Sequence, residues 1–163
     1  MAAANDISVA LFHRNKADRF HWAITISVSP IVVVKFHARN TAGGFWSYQT
    51  DEQQISDSLG LVALVKIGSL SATRKTVADV DELLESLDMA TSRQDGGRSV
   101  KFDCVIWVRQ AVRALDANGF LHCTDVLALE KECQEVATKW APSVMTGDAS
   151  YIVHVSEHAA GVA

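Results

Sequence analysis

Between positions 7 and 67 apolar residues recur at every second place, and between 76 and 140 they recur at every third or fourth. The first period is that of half-buried strands and the second that of amphipathic helices. Residues 7–14 alternate loosely, with Ile7, Val9 and Leu11 against Ser8, Ala10 and Phe12. Residues 21–28 and 31–37 are richer in β-branched and aromatic side chains and predict two further strands. Gly43 and Gly44 lead into a strand over 45–49, and an apolar run over 61–67 closes at Gly68. Thr76 and Asp79 then have capping-box spacing, although aspartate has a shorter reach than glutamate. Val80, Leu83, Leu84 and Leu87 follow as a helical stripe. Residues 91–101 are polar and glycine-containing and predict a mobile loop. Cys104, Val108, Ala111, Val112 and Leu115 share one face of the next helix, which Asn118 and Gly119 stop. A last helix is predicted from near Thr124 to just before Pro142, with Leu129, Cys133, Ala137 and Trp140 on its inner stripe. Residues 151–155 suit an edge strand, and a frayed end is expected at 1–5 and after Glu157.

Strands followed by helices predict an α+β fold, an antiparallel sheet packed against a few α-helices. The 163 residues suit a single domain, 1–163, that buries roughly 70% of its unfolded surface. A net charge of −4 with scattered cations argues against a nucleic-acid partner, and Arg109 and Arg113 read as a solvated stripe. No apolar run approaches the ~18 residues of a membrane span. The opening Met1-Ala2-Ala3-Ala4-Asn5-Asp6 lacks the features of a secretory leader. Three cysteines without a CxxC pair suit reduced thiols, so the cytoplasm is the expected compartment.

The candidate chemistry comes from the hairpin formed by 21–28 and 31–37. Placing Trp22 opposite Phe36, Ile24 opposite Val34 and Ile26 opposite Val32 makes one face wholly apolar. That register sets His21 opposite His37 on the other face, where facing Cβ atoms are ~4.5–5.5 Å apart. A slip of one residue would mix the faces and part the histidines. Ser29 and Pro30 fit the turn. Cys104 heads its helix, where backbone N–H groups favour a thiolate, with Lys101 helping and Asp103 opposing. Cys104 as nucleophile, His21 as base and His37 as orienting ring would make a thiol acyl-transfer site acting on a small-molecule or peptide acyl substrate, with no cofactor. Two alternatives stand beside it. A buried structural Cys104 would leave a non-catalytic binding domain. Two imidazoles and a thiolate would also suit zinc, although no HExxH or CxxC pattern accompanies them. Cys123 and Cys133 read as core, Trp22 and Trp107 as packing, and His13, His122, His154 and His158 carry no assigned role.

Phe20-His21-Trp22-Ala23-Ile24 resembles the HWA-[IL] opening of the lecithin–retinol acyltransferase-like proteins, the circularly permuted branch of the papain-like thiol hydrolases. In that family a second histidine follows on the next strand, and a distant NC motif heads the helix that carries the nucleophile. His21, His37 and Asp103-Cys104 keep this order, over about residues 20 to 115. The F-[ND]-C-x-x-W pattern at Phe102–Trp107 is similar to that of a small fungal branch. The resemblance implies a permuted papain-like fold, with Cys104 as nucleophile, His21 as general base and His37 as its partner. Asp103 replaces the family's asparagine and Val105-Ile106-Trp107 its EHF, and the stretch between Gly68 and Lys101 has no counterpart.

Overall fold

The predicted alternation becomes a sheet whose two faces carry different company. The computed structural model describes residues 2–56, 58 and 60–163. Five strands come first: β1 (Asp6–His13), β2 (Phe20–Ser27), β3 (Val32–Asn40), β4 (Trp46–Gln54) and β5 (Leu61–Ser69). Then follow α1 (Val77–Glu85), α2 (Cys104–Ala117), β6 (Leu121–Cys123), α3 (Val126–Met145), β7 (Ile152–Val155) and β8 (Ala159–Gly161). The strand order in the main sheet is β4-β3-β2-β1-β5-β7, and β6 pairs with β8 apart from it. All neighbours in the main sheet are antiparallel except β5 and β7. The fold is α+β, a mostly antiparallel six-stranded sheet with three helices packed against it.

Ile7, Val9, Leu11, Trp22, Ile24, Ile26 and Phe36 face the helices and are buried. α2 lies over β2 and β3, and α3 lies over β1 and β5. The alternate residues Ala10, Ala23, Val33, Leu61 and Leu64 form a second, smaller cluster on the opposite face. Each strand thus sends successive side chains to two different environments. No helix among the described residues is long and apolar enough to cross a membrane.

Five expectations need correcting. The hairpin register is shifted by two residues, with Ile24 opposite Phe36 and Ile26 opposite Val34. An even shift keeps each residue on its face, so burial alone does not choose between the two registers. The turn decides: Val28 and Ser29 both donate to the Val32 carbonyl, and Ser29 Oγ accepts from the Ile31 and Val32 amides.

The polar stretch 91–101 is tied down rather than loose. It forms two short 3-10 turns, Arg93–Asp95 and Gly97–Ser99. Arg109 and Arg113 are therefore no solvated stripe, since both bond Asp95, at 3.0 and 2.5 Å, and Arg109 also forks onto Glu130. α3 continues through Pro142 to Met145. Proline removes one helical hydrogen bond there, but the buried Ala137 and Ala141 and the Trp140 Nε1–H donated to the Ser150 carbonyl hold the last turns.

Both ends are anchored too. Asn5 N–H donates to Ser27 and Ala3 N–H to Asp6, and Ala2 is buried; Met1 lies outside the described residues. After Glu157 the chain pairs as β8 with β6. Glu132 of α3 holds the approach, accepting from Ser156 Oγ at 2.6 Å and the Glu157 amide at 2.8 Å, with His154 Nε2 at 3.0 Å. His154, assigned no role from sequence, is part of this clamp.

Candidate active site

Polar side chains of β2, β3 and β4 gather on the sheet face away from α2, in register with the alternation that buries their neighbours. The two-residue shift sets His21 and His37 on a diagonal rather than face to face, which is still within side-chain reach. Their rings are nearly perpendicular with centroids 4.9 Å apart, and His21 Nε2 lies 2.7 Å from His37 Nδ1. On the far side, His37 Nε2 lies 3.1 Å from Asp51 Oδ2. Gln49, directly across from His37, donates to Asp51 Oδ1 at 3.0 Å. Arg14, just past the end of β1, places a guanidinium nitrogen 3.2 Å from His21 Nδ1.

These partners assign the protons. A guanidinium only donates, so His21 Nδ1 accepts and Nε2 carries the hydrogen. That hydrogen is donated to His37 Nδ1, and His37 Nε2–H is donated to the Asp51 carboxylate. A single direction of donation therefore runs from Arg14 through both rings to Asp51. Burial, followed by the nearby His37 and Arg14 charges, lowers the His21 pKa from 6.5 to about 3. Burial also lowers His37, against the opposing pull of its Asp51 hydrogen bond. For Asp51 burial acts upward, but the hydrogen bonds from His37 and Gln49 outweigh it and hold the carboxyl below its ordinary range. Both rings are neutral at pH 7.

Cys104 sits on the other side of β2. It is the first residue of α2, behind Asp103, whose Oδ1 caps the helix by accepting from the Ile106 amide at 2.9 Å. The thiol is buried and belongs to the main core cluster. Burial raises its pKa and Asp103 adds to that, while the Trp22 backbone amide and the Arg14 charge pull it down. Neither imidazole makes a hydrogen bond to the thiol. His21 and Trp22 are consecutive on one strand, so the ring turns to the histidine face while the Trp22 indole and Cys104 share the helix face.

The structure thus joins His21 to His37 and places Cys104 beside the next residue of the same strand. Arg14 is the group that reaches both sides. It bonds His21 and lines, with Cys104, a cleft of about 530 Å³ whose wall also includes Phe20, Trp22, Trp46 and Lys101.

Two residues of this arrangement were missed in the sequence. Asp51 would have emerged had the alternation of the fourth strand been followed past Gln49, because Gln49, Asp51 and Gln53 share a face. Arg14 has no local signal; only the pairing of β1 with β2, Phe12 opposite His21, brings it near. Cys123 and Cys133 are core residues whose thiols burial pushes up. Zinc does not suit the trio, because the facing histidine nitrogens are bonded to each other directly. Among the described residues no group of three or more His, Cys, Asp or Glu side chains is arranged to hold a metal ion.

A family model described as "Family of unknown function (DUF6540)" matches residues 7–122, a span that takes in His21, His37, Asp51 and Cys104. No curated protein and no solved structure matches the chain significantly.

Proposed function

The chain belongs to the DUF6540 family, and for it we propose a cysteine-dependent acyl transfer, or ester or amide hydrolysis, on a permuted papain-like scaffold. The observation that carries this reading is the His21–His37–Asp51 line, 2.7 and 3.1 Å between partners. A carboxylate that orients one ring, which orients a second, is the support a general base needs. His21 Nε2 is committed to His37, so in this reading Nδ1 takes the Cys104 thiol proton, which requires that Arg14 release the ring and that the ring turn past the edge of β2 to the thiol's side. The sulfur then bonds the acyl carbon, and the proton passes from Nδ1 to the departing alcohol or amine. In the second half a water, or an acceptor amine or alcohol, gives a proton to Nδ1 and attacks the thioester. The C–S bond breaks, the acyl product leaves, and the proton returns to sulfur. Backbone N–H groups at the start of α2 are the candidate donors to the tetrahedral oxyanion.

Mass analysis of Cys104 after exposure to a panel of activated esters and amides tests the reading. An acyl adduct at Cys104 alone, lost in His21→Ala, is expected. Selective alkylation of Cys104 by iodoacetamide should follow the same pattern. Three equally slow thiols and no adduct would leave a non-catalytic binding domain. That second reading draws on one observation, the buried thiol with a raised pKa and no imidazole partner.

A further inference from the structure

We infer that the Cys104 cleft selects acyl substrates carrying a carboxylate, and that Arg14 is the residue that reads it. The inference rests on the acyl-transfer reading and names its substrate class. Arg14, Arg19 and Lys101 all line the cleft. None of the three has a carboxylate within ion-pair distance among the described residues, although Asp18 and Asp103 line the same cleft. Asp103 is already engaged as the cap of α2. Arg109 and Arg113, by contrast, hold acids, Arg109 forking onto Glu130 and reaching Asp95 and Arg113 bonding Asp95.

Arg14 instead spends its guanidinium on a neutral imidazole nitrogen. A carboxylate is a better acceptor for that fork than one ring nitrogen, since it carries the opposite charge and takes two parallel N–H···O bonds where the ring takes one. The side chain is exposed.

Drawing Arg14 onto a substrate carboxylate has a second effect on the same atom. His21 Nδ1 loses its donor and regains the lone pair that must accept the thiol proton. An anionic substrate therefore both docks in the cleft and frees the base, whereas a neutral analogue leaves Arg14 on the ring. Phe20, Trp22 and Trp46 give the same cleft apolar walls for the rest of the acyl compound.

The test uses two probes of nearly one shape, N-acetylglycine and N-acetylglycinamide, titrated into the full chain and followed by NMR at the Trp46 indole and the His21 ring. The anion should bind about tenfold tighter or better, and His21 should shift only with the anion. Arg14→Gln should remove the preference, and Lys16→Gln, an exposed cation outside the cleft, should keep it. Equal affinities for the two probes, or a preference that survives Arg14→Gln, overturns the inference. The outcome separates from that of acyl transfer itself. Anion preference without an acyl adduct on Cys104 removes the enzyme and leaves the carboxylate site; an adduct without the preference does the reverse.

Discussion

Each ring nitrogen of the two histidines has a named partner, and that accounting makes the pH behaviour of the site predictable. His21 has a folded pKa of about 3 against 6.5 for the free side chain, so it stays neutral in the fold while the unfolded chain takes up a proton below 6.5. His37 is shifted in the same direction. Stability is therefore undiminished above pH 6.5 and falls as the pH drops from there toward 3, by roughly 1.4 kcal/mol per pH unit for His21, with His37 acting in the same direction. Urea unfolding at a series of pH values should show this slope, and His21→Gln should reduce it by about one proton. An unchanged slope would mean that His21 is protonated in the fold. Arg14→Gln removes one of the charges that lower His21, so the His21 pKa, read by NMR titration, should rise. Asp51→Asn removes the group that holds His37 Nε2–H and raises the His37 pKa. The His37 pKa should fall further, and Cys104 acylation should slow by about a hundredfold or more, as when the orienting carboxylate is lost from other triads.

At the scale of the element, the start of α2 sets the reactivity of the thiol. Asp103 caps the helix and at the same time raises the Cys104 pKa. Asparagine caps as well as aspartate does and carries no charge. Asp103→Asn should thus leave thermal stability nearly unchanged and move the pH profile of Cys104 alkylation to lower pH. Asp103→Ala should also lower the thiol pKa but lose about 1 kcal/mol of stability with the cap. A profile that does not move in either variant would show that burial alone governs the thiol. The elements themselves were mostly legible in the sequence. Strand period, the Thr76–Asp79 capping box and the helix starting at Cys104 all depend on neighbours within four residues. The hairpin register was less legible, because a two-residue shift buries the same faces and only the turn around Ser29 distinguishes it. The histidine pair survived that error because diagonal partners on one face are still within reach.

At the scale of the whole molecule, long-range polar contacts tie polar segments to the helices. Asp95 is buried and holds both Arg109 and Arg113. Asp95→Ala leaves Arg113 without its partner and Arg109 with Glu130 alone, and should cost about 3 kcal/mol in denaturant unfolding. A loss under ~0.5 kcal/mol would mean that the 91–101 segment is not held by this network. The sequence by itself determined most of the elements and the face each side chain takes. Those follow from periods of two and 3.6 residues and from short motifs, which neighbouring residues enforce. Tertiary structure alone decided that Asp51 completes the histidine line, that Arg14 reaches the base, and that Cys104 lies across β2 from it. Each joins residues brought together by strand pairing or helix packing, and the free energy that selects such a meeting lies in burial spread over the whole core, not in the local pattern around either partner.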